Sequence, residues 1–145
     1  MAKWLTVEKR VEELLSFARS RNLMVIHVRA DYSPEKSPWF PRWDEMNRLS
    51  GKGTMGVVSP DDVCSFAKEL EGEHIIAKPT FDGFLNTSLE SLLKDNGITE
   101  ILVGGIVTSC CVLLTAVRSL YLITIEAYSS FGRVEPFYVA SKSLL

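Results

Sequence analysis

The chain has 145 residues, of which 46% are hydrophobic and 23% charged, a length and composition typical of one globular domain. We therefore predict a single domain over residues 1–145. A formal net charge of −2 offers no cationic excess for a phosphate backbone, so nucleic acid is not an expected partner. The longest nearly apolar stretch, residues 101–116, is shorter than the ~20 residues that span a bilayer, so no membrane partner is expected either.

The chain opens with a helix and a buried strand. The apolar residues of the first segment recur at helical spacing: Val7, Val11, Leu14, Leu15 and Ala18. Asn22 ends this pattern, and the apolar run over residues 23–28 predicts a strand covered on both faces.

A long loop follows over residues 30–59, and it is rich in proline and aromatic residues. Long loops after a buried strand are more often functional than connecting. Trp39, Phe40 and Trp43 are therefore candidates to cap a planar substrate, and packing over the sheet edge is the alternative.

Strand and helix patterns alternate along the rest of the chain. The patterns predict, in order, a helix over 63–70, a strand over 74–77, a helix over 87–95 ending at Gly97, a strand over 98–103, a helix from Ser109, a strand over 122–125 and a last helix over 134–145. This alternation predicts an α/β fold of three α/β/α layers with a mostly parallel sheet.

Two places at the carboxyl ends of predicted strands carry reactive groups. Cys110 and Cys111 follow a strand and Gly104-Gly105, at the start of a helix where unpaired N–H groups and the helix dipole favour a thiolate. Lys78 follows the strand over 74–77, where an ammonium group can hold an anion or a thiolate. A buried structural thiol and a solvated lysine are the alternative interpretations of these residues.

Taken together, these two places resemble the isochorismatase-like cysteine hydrolase family. Residues 78–89, Lys-Pro-Thr-Phe-Asp-Gly-Phe-Leu-Asn-Thr-Ser-Leu, are similar to its lysine motif. Residues 105–116, Gly-Ile-Val-Thr-Ser-Cys-Cys-Val-Leu-Leu-Thr-Ala, are similar to its nucleophile elbow, Gly-x-x-Thr-x-x-Cys-Val-x-x-Thr-Ala. The resemblance covers about residues 7–127 and implies the family's Rossmann-like hydrolase fold.

The resemblance implies a role for each motif. Cys111, rather than Cys110, is the implied nucleophile, and Lys78 is its catalytic partner. A cis peptide between Val107 and Thr108 is implied to aim backbone N–H groups at the substrate oxygen. The implied reaction is hydrolysis of an amide C–N or vinyl-ether bond of a small molecule through a covalent thio-intermediate.

The sequence departs from the family at both ends. The family's catalytic aspartate ends a first, central strand, and this chain starts at the helix that follows it, so we expect a domain incomplete at its N-terminus, without the middle of its core. The residues after Ile125 do not resemble the family, so we also expect an altered C-terminal part. Asp31 is the stand-in for the base, and Asp82 is a weaker one; a solvated carboxylate is the alternative for both.

The remaining expectations concern ligands and partners. Neither a metal nor another cofactor is expected, because His27 and His74 lack the spacing of metal ligands. Arg29 and Arg42 are candidates to bind a substrate carboxylate, and Phe84 is a further candidate for the substrate pocket. Three cysteines without a disulfide pattern, and no leader segment, favour the cytoplasm.

Two other functions remain open besides the hydrolase. One is a catalytically impaired, truncated homologue that binds a ligand or associates with itself, because a truncated sheet exposes edges or apolar faces. We accordingly expect a homo-oligomer. The other is a redox-sensing thiol module, which depends on the adjacent Cys110 and Cys111 alone.

Overall fold

The computed structural model describes residues 2–42, 45, 63–105, 108–122, 124–127 and 137–141. Helices and strands alternate through these residues, as the sequence predicts. In chain order they are α1 (Ala2–Ser20), β1 (Met24–Ala30), a 3₁₀ turn (Ser65–Ala67), β2 (His74–Lys78), α2 (Leu89–Asp95), β3 (Glu100–Gly104), a π-helical turn (Thr108–Val112), α3 (Leu113–Leu120), β4 (Thr124–Ala127) and β5 (Phe137–Ser141).

The strands form one five-stranded sheet in the order β2-β1-β5-β3-β4. The pairs β1–β2 and β3–β4 are parallel, and β5 runs antiparallel to both β1 and β3. Four strands therefore share one direction, and their carboxyl ends lie along one edge of the sheet. The predicted α/β fold with a mostly parallel sheet is confirmed.

The centre of the sheet is where two predictions are wrong. Within 134–145 we predicted a helix, and the described part of that segment is β5, which contains Phe137, Tyr138 and Val139, residue types that favour strands. We also expected the middle of the core to be lost. Instead β5 pairs with both neighbours: Val139 lies opposite Val25 of β1 and Leu102 of β3. Two strand edges that would otherwise be unpaired are satisfied in this way.

The side chains of β1 alternate between two cores, one on each face of the sheet. Val25 faces α1 and packs with Val11, Leu15 and Ala18, which form the buried stripe of that helix. The other face of β1 belongs to a second core with α2 and β3, made of Ile26, Val28, Ile76, Phe84, Leu89, Leu93, Ile98, Ile101, Val103 and Val112. Strand alternation thus decides which layer each residue of β1 joins.

Two helices end as their sequences predict. At the end of α1, Asn22 adopts a positive φ of 52°, and the Leu23 N–H donates to the Ala18 carbonyl. Gly97 does the same after α2 with a φ of 63°, and the Ile98 N–H donates to the Leu93 carbonyl. Both are Schellman-type ends, which need a residue that tolerates the left-handed conformation.

The predicted helix over 63–70 is wrong beyond one 3₁₀ turn. The backbone groups that a longer helix would use are bound elsewhere, since the Lys68 carbonyl accepts from Arg19 Nη2 and the Leu70 N–H donates to Glu73. Among the helices that the structure describes, none combines the length and apolar character needed to cross a membrane.

Candidate active site

Lys78 is the last residue of β2, and its charged group is completely buried. Its relative exposure is 0%, and its Nζ contacts the Thr80 carbonyl oxygen at 3.0 Å, the Tyr32 hydroxyl at 3.2 Å and Cys111 Sγ at 3.3 Å. A buried ammonium requires hydrogen-bond acceptors for its three hydrogens, and these three atoms supply them. The predicted meeting of Lys78 with the cysteine motif is thus present in the structure.

Cys111 lies in the π-helical turn that leads into α3. It is 8% exposed, whereas Cys110 is half-buried and Cys64 is exposed. Of the three thiols, Cys111 is the one that accepts a hydrogen bond from Lys78 Nζ. Burial and the neighbouring Cys111 thiol raise the pKa of Cys110, so the environment of Cys110 disfavours a thiolate.

The side chain of Thr115 joins the two motifs. It is completely buried in α3, donates a hydrogen bond to the Cys111 carbonyl at 2.8 Å and accepts one from the Gly83 N–H at 2.8 Å. The loop that follows Lys78 is therefore tied to the turn that contains Cys111. Thr115 is part of the elbow motif, and its contacts give it a structural role there.

Tyr32 is the site residue that the sequence analysis missed. It follows β1 by two residues, is 5% exposed, and contacts Lys78 Nζ at 3.2 Å and Cys111 Sγ at 3.9 Å. The signal for it is the strand register. Ala30 is the partner of Lys78 in the parallel ladder, so the side chain two residues after Ala30 lies on the face where Lys78 lies.

The same alternation sends Asp31 to the opposite face. Its backbone N–H continues the ladder to the Lys78 carbonyl, while its carboxylate accepts from Lys36 Nζ at 2.5 Å and from the Ser33 N–H at 3.4 Å. The hydrogen bond from Lys36 lowers the pKa of Asp31. The geometry therefore does not bring this predicted base onto Lys78 or Cys111, and we assign it no step in the mechanism below.

Asp82, the weaker stand-in, has a local structural task. Its Oδ1 accepts from the Phe84 N–H at 2.8 Å, and its carbonyl accepts from the Thr80 hydroxyl at 3.2 Å. Phe84 itself is 6% exposed and belongs to the core between the sheet and α2. Its position favours packing, so Phe84 is also left out of the proposed pocket.

An aromatic wall leads from the buried pair to the surface. Trp39 stacks on Phe81 with ring centroids 6.1 Å apart, and Tyr32 meets the edge of Phe81 at 6.0 Å. Trp39 is 41% exposed, which leaves part of this indole accessible to a ligand. Phe40 is half-buried beside it, and its N–H donates to the Ser37 carbonyl.

The remaining predicted site residues are placed as follows. Arg29 is buried and donates to Glu69, on the α1 face of the sheet, whereas Arg42 is exposed. Trp43 and Val107 lie outside the described residues, and of Thr108 the structure describes the backbone, at the start of the π-helical turn. Through the described ranges there is no group of three or more His, Cys, Asp or Glu side chains that can hold a metal ion.

The mostly parallel sheet and its helices define an α/β protein, in which Lys78 and Cys111 are in contact. The family model of the Isochorismatase domain matches residues 5–122, so the chain belongs to this family. The resemblance identified from the lysine and cysteine motifs is thereby confirmed.

Two curated relatives and one solved structure illustrate the similarity. Ureidoacrylate amidohydrolase RutB of Methylorubrum extorquens is 27% identical over 123 residues, which cover 73% of this chain and 48% of RutB. Streptothricin hydrolase of Streptomyces noursei is 30% identical over 115 residues, which cover 78% of this chain and 35% of the relative. The crystal structure of N-carbamoylsarcosine amidase from Thermoplasma acidophilum is similar in fold with a TM-score of 0.67, at 23% identity, over 88% of this chain and 69% of that one. The chain thus spans about half or less of the two curated relatives.

Proposed function

We propose that the chain is a cysteine hydrolase that cleaves a carbon–nitrogen bond of a small amide or ureido compound. The observation that carries this proposal is the buried contact of 3.3 Å between Lys78 Nζ and Cys111 Sγ. The choice of bond follows the relatives, an amidohydrolase of ureidoacrylate and an amidase of N-carbamoylsarcosine. A vinyl-ether bond, which the family name suggests, is the second substrate class.

The environment of Lys78 favours the reactive form of Cys111. A buried ammonium is stable only beside compensating negative charge. In the part of the chain that the structure describes, its contacts are a carbonyl, a phenol and a thiol, and the thiol is the group among them that most readily becomes an anion. The pair therefore favours an ammonium and a thiolate, and a thiolate is the nucleophilic form of cysteine.

The proposed reaction has two stages. The Cys111 thiolate attacks the substrate carbonyl carbon, and we propose that backbone N–H groups in the turn from Thr108 to Cys111 stabilise the resulting oxyanion. The carbon–nitrogen bond then breaks as the nitrogen takes a proton from Lys78, which leaves a thioester on Cys111. Water hydrolyses this thioester, and the neutral amine of Lys78 takes up the proton that the water loses.

The accessible wall of Trp39 and Phe81 gives the pocket its side. A planar amide or ureido group lies well against a stacked indole, so we propose that Trp39 covers the substrate. Phe40, Trp43 and the exposed Arg42 are retained as proposed substrate contacts from the same loop. Arg29 faces the other side of the sheet and is not retained.

The test is turnover of small amides and ureido acids by the purified chain, by Cys111→Ser and by Cys110→Ser. The two variants make the same chemical change at adjacent positions, and only Cys111 contacts Lys78. We expect Cys110→Ser to keep activity near that of the parent chain and Cys111→Ser to lose at least about 10³-fold in kcat/KM. Equal activity of the parent chain and Cys111→Ser would reject the proposal.

The second candidate function is a self-associating, non-catalytic homologue, and the surface of α3 favours the association. The burial pattern of α3 is the reverse of that usual for a surface helix of a monomer. Thr115 and Ser119 are completely buried, whereas the large apolar residues are exposed. The exposed stripe consists of Leu113 (51% exposed), Leu114 (46%), Val117 (43%) and Leu120 (64%).

We propose a second copy of the chain as the partner for this stripe. Its residues repeat at i, i+1, i+4 and i+7 without a charged member, which is the pattern of a seam that packs against its own copy across a two-fold axis. Light scattering of the parent chain and of Leu120→Lys tests this: a dimer converted to a monomer is expected, and a monomeric parent chain rejects it. Turnover that survives Leu120→Lys separates association from catalysis.

The proposed location is the cytoplasm. The three cysteines are free thiols, which is the usual state of cysteine in a reducing compartment. Mass spectrometry of the chain isolated under alkylating conditions tests this, with three alkylated thiols as the expected result.

A further inference from the structure

The hydroxyl of Tyr32 lies against both members of the buried pair. Its oxygen accepts a hydrogen bond from Lys78 Nζ at 3.2 Å and is 3.9 Å from Cys111 Sγ. Tyr32 is 5% exposed, so bulk water competes little for this hydroxyl. Neither the lysine motif nor the cysteine motif contains Tyr32, so neither assigns it a task.

The fold fixes the position of this ring. Ala30 is the ladder partner of Lys78, and Tyr32 continues the same face of the strand by two residues. The ring packs edge-on against Phe81 with 6.0 Å between the centroids and 84° between the planes. Lys78 Nζ also lies 5.4 Å from the centroid of the Tyr32 ring. These contacts hold the hydroxyl beside the ammonium independently of any substrate.

The hydrogen atoms around Lys78 define what the hydroxyl does. The ammonium has three N–H donors and no acceptor, so each of its contacts must accept. The oxygen of Tyr32 is therefore an acceptor toward Lys78, and the hydroxyl keeps its own hydrogen as a donor. Cys111 Sγ lies within reach of that hydrogen at the long distance usual for sulfur. A thiolate at Cys111 then receives hydrogen bonds from Lys78 and from Tyr32.

We propose that Tyr32 is a positioning residue of this site, which directs the Lys78 ammonium toward Cys111 and donates a hydrogen bond to the thiolate. The inference rests on the proposed function, because it assigns Tyr32 to the stabilisation of the nucleophile. It adds a third group to the site, a phenol supplied by the end of β1.

The experiment measures the alkylation rate of Cys111 by iodoacetamide over a pH series from about 5 to 10, with the modified residue identified by peptide mass spectrometry. Tyr32→Phe removes the hydroxyl and keeps the ring that packs on Phe81. We expect the pH of half-maximal alkylation to move upward by about one unit, which corresponds to about tenfold less thiolate at a fixed pH below it. The plateau rate at high pH is expected to stay or rise, because a more basic thiolate is at least as nucleophilic.

The control is Tyr121→Phe, which removes the same hydroxyl from a tyrosine that is 85% exposed. Its profile should coincide with that of the parent chain. A Tyr32→Phe chain with the melting temperature of the parent and an unmoved profile overturns the proposal. A general disturbance of the site would instead lower the plateau rate, and that outcome also overturns it.

Failure of this inference differs from failure of the proposed function. If Cys111→Ser abolishes turnover while Tyr32→Phe leaves the profile unmoved, only the role of Tyr32 is rejected. If Cys111→Ser leaves turnover unchanged, the proposed function itself is rejected.

A second measurement applies if Tyr32→Phe does not fold. Incorporation of 3-fluorotyrosine at all four tyrosines makes the phenol a stronger donor without removing it. The alkylation profile should then move to lower pH in the parent chain and equally in Tyr121→Phe. An unmoved profile in the labelled parent chain overturns the proposal.

Discussion

Two polar clusters lie on opposite faces of the same strand, β1, and they differ in which group balances the charge. On the α1 face, Glu73 is bound by Arg19 and His27. On the other face, the ammonium of Lys78 is bound by a carbonyl, by Tyr32 and by Cys111. The first cluster pairs a carboxylate with a guanidinium, whereas the second pairs a cation with a thiol.

The Glu73 cluster is built to stay closed. The carboxylate accepts from Arg19 Nε at 2.7 Å, from Arg19 Nη2 at 3.0 Å and from the Leu70 N–H at 2.8 Å, and it contacts His27 Nε2 at 2.8 Å. Although burial opposes ionisation, these donors lower the pKa of Glu73 to about 2. The cluster joins α1, β1 and the turn before β2, so its task is structural.

The two clusters differ in whether a group remains that can react with a substrate. The Glu73 carboxylate has four hydrogen-bond contacts within the protein, so its oxygens are already engaged. A thiol in contact with a buried ammonium is next to a positive charge that stabilises its thiolate, and a thiolate is nucleophilic. We therefore expect changes in the first cluster to affect stability and changes in the second to affect chemistry.

The largest expected effect is the loss of turnover in Lys78→Met. The variant removes the charge that favours the Cys111 thiolate and keeps an unbranched side chain of similar length, so kcat/KM should fall by about 10³-fold. Stability should fall less than in Glu73→Gln, because the Cys111 thiol that remains can take up a proton and leaves no unpaired buried charge. Kinetics and thermal melts of the same preparation measure turnover and stability. A Lys78→Met chain that is destabilised but keeps its turnover would contradict a reactive role for Lys78.

Glu73→Gln should show the opposite pattern. It leaves Arg19 and the buried His27 without their carboxylate, and we expect a loss of about 2–4 kcal/mol in the free energy of unfolding. Urea denaturation measures the loss, with the exposed Glu71→Gln as the matched control. The alkylation rate of Cys111 in the folded variant should equal that of the parent chain; a drop would mean that the two clusters are coupled.

Acidification should weaken the α1 face first. Burial lowers the pKa of His27 from 6.5 in the folded chain. Below about pH 6.5 the unfolded chain therefore binds this proton more readily than the folded chain, and the free energy of unfolding decreases as the pH decreases. The pKa of Glu73 is lowered from 4.5 to about 2, so its contribution is complete above pH 4.5 and is lost as the pH falls toward 2.

Melting temperatures of the parent chain and of His27→Gln over a pH series test this sign. The parent chain should lose stability as the pH falls below about 6.5, and the variant should show a flatter curve there. A parent chain that gains stability on acidification would show that His27 binds its proton more readily when folded.

The smallest expected effect is that of Asp31→Asn. The carboxylate lies on the far side of the strand from the reactive pair and binds the exposed Lys36, so kcat/KM should change by less than about twofold. Tyr32→Phe, one residue further along, is the matched comparison on the other side. A large loss in Asp31→Asn would restore the aspartate as the base.

Much of this molecule is predictable from the sequence because the information is local. The α1 stripe, the ends at Asn22 and Gly97 and the alternation of strands all follow from periodicity and turn chemistry. Lys78 and Cys111 are predicted from two motifs that contain the reactive residues themselves.

The features that the sequence analysis missed depend on pairing between distant segments. The position of β5 between β1 and β3 depends on long-range pairing. The composition of residues 137–141 favours a strand, but it does not indicate which strands they pair with. The choice of Tyr32 over Asp31 follows from the register of β1 against β2, because a shift of one residue exchanges the two faces.

The most direct test of the account is a competition among the three thiols for a limiting amount of iodoacetamide at neutral pH. Cys64 is exposed, Cys110 is half-buried and Cys111 is 8% exposed, so accessibility alone ranks Cys111 last. If Lys78 holds Cys111 as a thiolate, peptide mapping will show Cys111 as the first residue modified, and Lys78→Met will move it to the end of the order. An order that follows exposure in the parent chain would contradict the claim that this buried contact creates a nucleophile.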